Sequence, residues 1–309
     1  MALWQLDQIR IVLVEPAGPL NVGAAARVMK NMGLRHLVLV NPQCDPSDES
    51  AQRMAVHGAD VLAAATTVAS LPEALVGCQR AIATTGRLHR QDQPLEPPEV
   101  ALPWLLPPDP ANRFATALIF GPEDRGLSNA ELVYAQRWVR ISASDDYPSL
   151  NLAQAVAVCS YLMHRSATAE TPAPTGIATK APAASAPSAP LDQIEGFYQD
   201  LEILLLKIGY LYPHTAASRM AKLRRLFHRA GPDQQELAML RGVLRQVNWA
   251  IGSSPEGSEV SSGRLSAVDL SAGKPAPGEL VAGEPSSEGN PRDLPSRETP
   301  SRDTPSRDI

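Results

Sequence analysis

Between Ile9 and Ile141, short runs rich in Val and Ile alternate with stretches of helical period, and this alternation limits the fold more than any other feature of the chain. "IRIVLV" (Ile9–Val14) leads to a small-residue helix expected near Asn21–Met32, with Gly33 as its stop. "HLVLV" (His36–Val40), "AIATT" (Ala81–Thr85), "ATALIF" (Ala115–Phe120) and "WVRI" (Trp138–Ile141) are the further strand candidates. Helical patterns surround Ser50–Val56, Leu71–Gly77 and Ser128–Ala135, and a last helix is expected from near Ser149. Buried apolar strands alternating with helices predict an α/β fold, a mostly parallel sheet with helices on both faces. In such sheets, ligands sit in the loops beyond the carboxyl ends of the strands.

Composition divides the rest of the 309 residues. Ser166–Pro190 has almost no large apolar side chains and reads as a flexible linker, residues 166–190. From about Ser253 the chain is again poor in aromatics and ends in a degenerate repeat, "PSRET", "PSRDT", "PSRDI". Such a segment buries too little apolar surface to offset its ordering entropy, so residues 252–309 are expected to be disordered. Two foldable pieces remain, residues 4–165 and 191–251. In the second, Ile194, Phe197, Leu201, Leu204, Leu205 and Ile208 recur at helical spacing, as do Leu237, Leu240, Leu244, Val247 and Ile251. Gly231-Pro232 separates the two runs, and Asp233 with Glu236 has the form of a capping box. This small all-α extension would gain stability by docking on a partner subunit or on RNA.

The formal net charge of −5 conceals a local asymmetry. The tail from Ser253 carries ten acids and six bases, which leaves only −1 for the 252 residues before it. Ile203–Pro232 contains no acid and six bases: Lys207, Arg219, Lys222, Arg224, Arg225 and Arg229. A basic stripe of this kind suits a polyanion, although a solvated helix face is the commoner meaning of a charge run. Cys44, Cys78 and Cys159 form no C-x-x-C pair, and the six histidines show no metal-ligand spacing, so no metal is expected. Asp7 and Arg10 interrupt the N-terminal apolar stretch and no run approaches a membrane span, so a cytoplasmic protein with no membrane partner is expected.

Three strand-ending loops are unusual. In "EPAGPLNVGAAARVMK" (Glu15–Lys30), Gly18 and Gly23 have P-loop spacing, but Ala24 and Ala25 stand where Lys and Ser or Thr would be needed. The dinucleotide fingerprint fails as well, because Leu20 occupies its second glycine position. "FGPEDRGLS" follows Phe120, with Gly121 and Gly126 free to take positive φ and Pro122 stiffening the turn. "ISASDDYPSLNLAQAV" places Pro148-Ser149-Leu150-Asn151 before a helix whose first amides lack intrahelical partners. Each loop alone also reads as an ordinary turn or N-cap.

In this order and context, "NVGAAAR" (Asn21–Arg27), "LIFGPEDRGL" (Leu118–Leu127) and "YPSLNLAQAV" (Tyr147–Val156) resemble the three motifs of the SpoU-type RNA 2′-O-methyltransferases of the SPOUT superfamily. The helical piece is similar to the C-terminal extension of the bacterial branch that modifies nucleotide 32 in the tRNA anticodon loop. The resemblance implies a C-terminal trefoil knot in the catalytic domain, which ordinary chains avoid. It also implies a homodimer and methyl transfer from S-adenosylmethionine to a tRNA ribose 2′-hydroxyl, with no DNA partner. Another tRNA position, ribosomal RNA, or a non-catalytic RNA-binding protein on the same fold are the alternatives.

By match to those motifs, the cofactor-loop candidates are Thr84, Thr85, Gly86, Gly121, Ile141, Pro148, Ser149 and Leu150, with Leu127 and Ile141 as apolar walls. Glu123 and Gly126 come second, Glu123 because it can instead anchor the loop. The catalytic candidates are Arg27, Ser149 and Asn21, and Asn21 is also expected to cap its helix. Gly23 and Ala24 would form a small-residue face for RNA approach. A protonated arginine is a poor base, so Arg27 is expected to orient a phosphate and polarise the 2′-hydroxyl. Arg27, Arg219, Lys222, Arg224, Arg225 and Arg229 are the RNA-binding candidates.

Overall fold

The computed structural model describes residues 3–86, 94–144, 146, 149–168 and 188–253. Of the stretches expected to be linker and tail, 169–187 and 254–309 lie outside the described residues. Contacts divide the chain at Pro255–Glu256, and the described residues all belong to the first unit, Met1–Pro255.

Seven parallel strands form one sheet: β1 (Ile9–Val14), β2 (His36–Val40), β3 (Thr66–Val68), β4 (Cys78–Thr84), β5 (Leu95–Glu96), β6 (Ala115–Phe120) and β7 (Arg137–Val139). Their order is β3-β2-β1-β6-β4-β7-β5. The two late strands β6 and β7 are thus inserted between earlier ones instead of being added at an edge, an order compatible with the knotted return that the resemblance implies. It also sets the carboxyl ends of β1, β6, β4 and β7 side by side, and these are the ends that carry the unusual loops.

The period of two along each strand sorts side chains to two cores. Ile9, Ile11 and Leu13 face one side with Leu37, Leu39, Ile82 and Leu118, under α1 (Pro19–Asn31), α2 (Glu49–Ala55), α3 (Ala59–Ala63) and α7 (Leu152–Thr168). Val12, Val14, Val38, Ala81, Ala83, Ala117 and Ile119 face the other. There the catalytic segment supplies only α4 (Leu71–Ala74) and α6 (Asn129–Leu132), while α5 (Pro98–Ala101) packs elsewhere, against β7 and α7. Four-residue helices cannot cover such a surface. The missing cover comes from α8 (Leu191–Lys207), α9 (Pro213–Ala230) and α10 (Gln234–Ser253), through Leu191, Ile194, Phe197, Tyr198, Met220 and Leu237. The extension therefore docks on the chain's own sheet. Gly77 N–H donates to Asp192 Oδ1 at 2.9 Å, and the Arg224 guanidinium forms a fork with the Glu195 carboxylate, both side chains nearly buried. Burial pushes His228, in the same seam, down to about 4, with the nearby Arg224 charge adding to the shift, so it is neutral.

Element boundaries shift where local chemistry decides them. The first helix begins at Pro19, because proline at the first turn needs no N–H partner and already has helical φ. Asn21 therefore lies inside α1 and does not cap it; Gly18 is the N-cap and offers no side-chain bond. The last catalytic helix begins at Leu152 and not near Ser149, because Asn151 is the cap: its Oδ1 accepts from Ala153 N–H at 2.9 Å and Gln154 N–H at 3.4 Å. The helix expected over Ser128–Ala135 is one turn, Asn129–Leu132, started by the Ser128–Glu131 capping box and stopped where Trp138 Nε1–H donates to the Leu132 carbonyl. Asp233 and Glu236 form the predicted box at the head of α10.

Candidate active site

The loops after β6, β4 and β7 enclose a cavity of ≈ 360 Å³, at the small end of the roughly 300–1,000 Å³ typical of ligand pockets. Thr84, Thr85, Gly86, Gly121, Glu123, Gly126, Ile141, Ser149 and Leu150 line it, bringing together nine of the cofactor-loop candidates from three separate stretches of sequence. Pro148 lies outside the described residues. Leu127 is a correction: its side chain is buried in the core with Val12, Val14 and Val40 and does not line the cavity. Phe120, Leu152 and Ala155 supply apolar wall in its place.

The loop after β6 holds its shape for a steric reason. It folds back so tightly that a Cβ on Gly121 would collide with the backbone of Gly126 and Leu127, and Gly126 itself has φ +65. Thr84 Oγ1 donates to the Ile119 carbonyl at 3.0 Å and Thr85 N–H to the Val139 carbonyl at 2.9 Å, which ties the end of β4 to both neighbours.

Glu123 joins this loop to the first. Its carboxylate accepts from Ala17 N–H at 3.1 Å, Gly18 N–H at 3.2 Å and Asn21 Nδ2 at 2.7 Å. A carboxylate from a distant loop thereby binds the two amides that lead into α1, at its positive dipole end. Partial burial alone would raise the Glu123 carboxyl, but the bonds from Asn21 and the two amides outweigh it and hold the group below its ordinary value. Asn21 Oδ1 in turn accepts from Asn151 Nδ2 at 2.9 Å. The relay Glu123–Asn21–Asn151 binds all three motifs together, with Asn21 as its hinge.

Arg125 is a site residue that sequence reasoning missed. It lines the cavity, and its guanidinium bonds Glu15 Oε2 at 2.6 Å and Glu131 at 2.9 and 3.0 Å. Glu15 sits at φ 47, and Asn41, at φ 44, donates to its second oxygen at 3.2 Å. Non-glycine residues at positive φ persist where surrounding bonds overdetermine them. Its place in the second motif and the charge adjacency in "PEDRG" were both legible, and neither names any of these partners.

Arg27 is exposed, with its Cα against the Val56–Gly58 turn, and has no hydrogen bond or ion pair among the described residues. Ser149 is exposed at the cavity rim. Gly23 does not form an open face for RNA: it is buried, and a Cβ there would strike the Ala51 carbonyl of α2. Its smallness serves helix packing. Of the basic candidates, Arg224 points inward, paired with Glu195 and lying 4.5 Å from the Tyr198 ring centroid, so it is withdrawn from the RNA-facing set. Arg219, Lys222 and Arg229 are exposed on α9. Lys222, Arg225 and Arg229 border a cleft against the Glu96–Arg137 edge of the sheet.

Comparison with known proteins agrees with this geometry. The family model described as SpoU rRNA Methylase family matches residues 8–161, and the model for the tRNA methyltransferase TrmJ C-terminal domain matches residues 192–257. The chain is similar to the tRNA (cytidine/uridine-2′-O-)-methyltransferase TrmJ of Cronobacter sakazakii, 40% identical over 255 residues, covering 81% of this chain and 100% of the relative. It is also similar to the tRNA (cytidine/uridine/adenosine-2′-O-)-methyltransferase TrmJ of Pseudomonas aeruginosa, 39% identical over 245 residues, 78% of this chain and 94% of the relative. The crystal structure of TrmJ from Z. mobilis matches with TM-score 0.66 and 30% identity, over 77% of this chain and 98% of that one. The chain therefore belongs to the SpoU methylases of the SPOUT superfamily. Within them it sits with the bacterial TrmJ enzymes, tRNA 2′-O-ribose methyltransferases that use S-adenosylmethionine.

The lining fits that cofactor: backbone groups at three strand ends could bond an adenine edge, Phe120, Ile141 and Leu152 offer apolar wall, and the Glu123 and Asp124 carboxylates would suit a cationic ligand. Among the described residues, no group of three or more His, Cys, Asp or Glu side chains could hold a metal, and no helix is long and apolar enough to cross a membrane.

Proposed function

We propose that this protein methylates the ribose 2′-hydroxyl of a cytidine or uridine at position 32 of the tRNA anticodon loop, as a homodimer. The observation that supports methyl transfer at this site is the Glu123–Asn21–Asn151 relay, which ties the helix bearing Arg27 to a loop of the cavity; position 32 and the dimer rest on the family resemblance. Bound S-adenosylmethionine supplies a methyl carbon already activated by sulfonium, so the protein's part is orientation and removal of one proton. In the balanced reaction the 2′-oxygen gains the methyl, the carbon–sulfur bond breaks, the thioether leaves with the electron pair, and the hydroxyl proton passes to an acceptor.

Glu123 is a poor acceptor for that proton, since three donors hold it ionised in a structural role. Arg27, exposed and without a partner among the described residues, engages in this reading the phosphate next to the target and polarises the hydroxyl. Its exposure leaves it open to RNA. Ser149 at the rim positions the ribose. DNA lacks the accepting hydroxyl and is excluded as substrate.

The test is a map of 2′-O-methyls in tRNA from cells with and without the protein, beside assays of Arg27→Ala. We expect loss of the methyl at position 32, and at least a hundredfold lower kcat in the variant with S-adenosylmethionine affinity retained. A methyl lost elsewhere would reassign the position, and normal turnover by Arg27→Ala would remove Arg27 from the mechanism.

A further inference from the structure

Helix α10 carries Arg241, Arg245 and Trp249 at i, i+4 and i+8, so the three side chains follow one ridge. Trp249 is 65% exposed, a large apolar surface for a helix to leave in water. Arg245 is exposed, and Arg241 lies across α8, 3.8 Å from Asp200, where a Cβ on Gly196 would collide with it. The two arginines of the ridge border a groove of ≈ 630 Å³ between α8 and α10, with Leu204, Leu237 and Leu244 as floor and Arg241, Arg245 and Asn248 on its rim. Lys207 Nζ donates to Asn248 Oδ1 at 2.8 Å across the groove. Three cations therefore face one acid, Asp200, and α10 has no acid after Glu236. This surface is separate from the α9 stripe.

Cationic side chains at one-turn spacing with an exposed indole one turn further along the same helix are complementary to a single-stranded polynucleotide. Guanidinium groups take phosphates, and the indole face takes a base that is not already stacked in a duplex. A duplex would offer the phosphates but hide the base faces. We infer that the Arg241–Arg245–Trp249 ridge holds an unpaired stretch of the tRNA substrate, one base on Trp249 and the adjoining phosphates on the two arginines. The inference rests on the tRNA reading above and adds a contact surface to it.

The experiment uses the full chain and an unmodified tRNA transcript, with affinity followed against salt. Trp249→Ala is expected to bind tRNA about tenfold more weakly, given about 1–3 kcal/mol per stacked base. Trp249→Phe should retain most of the affinity. Arg245→Gln should lower the slope of log affinity against log salt by roughly 0.7–0.9. All three should bind S-adenosylmethionine as the unaltered protein does. Unchanged affinity and slope in Trp249→Ala and Arg245→Gln, with normal tRNA binding by the parent, would overturn the ridge alone. The same holds if Trp249→Ala changes the sedimenting mass but leaves affinity per subunit intact, since a second copy would then cover the indole. A parent protein that neither binds nor methylates tRNA would overturn the functional reading, and the ridge with it.

Discussion

Glu123 shows how a residue's neighbours, and not its motif, define its work. Three donors from the first loop converge on one carboxylate, and a fourth group, Asn151, is reached through Asn21. Because the folded carboxyl lies below its ordinary value, its stabilising contribution is complete above the usual glutamate range. It is lost as pH falls through and below that range. Glu123→Gln keeps one acceptor but points an amide NH2 at the Ala17 and Gly18 donors. The expected cost is about 1 kcal/mol at this partly exposed site, with a several-fold loss of S-adenosylmethionine affinity. Urea unfolding at pH 3 to 7 checks it: the variant should show a shallower acid limb than the parent. Identical limbs would mean that the relay carries no stability.

At the scale of elements, α1 is placed by what it packs against. Gly23 on α1 and Gly58 in the Val56–Gly58 turn let α1 meet α2 and that turn at backbone distance, and this contact sets where Arg27 emerges. Gly23→Ala should therefore act on packing before chemistry. A methyl forced against the Ala51 carbonyl is expected to cost about 2 kcal/mol, seen as a Tm lower by about 5 °C. An unchanged Tm would show that α2 yields freely.

For the molecule as a whole, the important seam joins the extension to the second face of the sheet. Arg224 and Glu195 are both nearly buried in it, so removing one partner strands a charge. Glu195→Gln is expected to destabilise the Met1–Pro255 unit by about 3 kcal/mol in urea unfolding, and Glu195→Gln with Arg224→Met should recover most of that loss. If the double variant is no better than the single one, the seam depends on the pair's hydrogen bonds more than on charge balance.

Much of this architecture is local and was open to reading in one dimension. "IRIVLV" and "ATALIF" are strands at the predicted limits, since β-branched runs bounded by turn residues admit little else. The Asp233–Glu236 box works within four residues of chain. The loops that would carry the chemistry could be named by motif. What no local pattern could supply was the order of strands, because inserting β6 between β1 and β4 depends on contacts across some hundred residues. Partner choice follows from that order: Glu123 meets Asn21, Arg125 meets Glu15, and Arg224 turns from a presumed RNA contact into a buried ion pair. The amino-acid sequence by itself located five of the seven strands, the longer helices and the loops that hold unusual residues, because propensity, turn chemistry and capping act over a few residues; the short strands β3 and β5 and the short helices α3 and α5 carry too little pattern to be read that way. Only the tertiary structure decided which charges face solvent and which face each other, because burial and hydrogen-bond partners are properties of the packed chain.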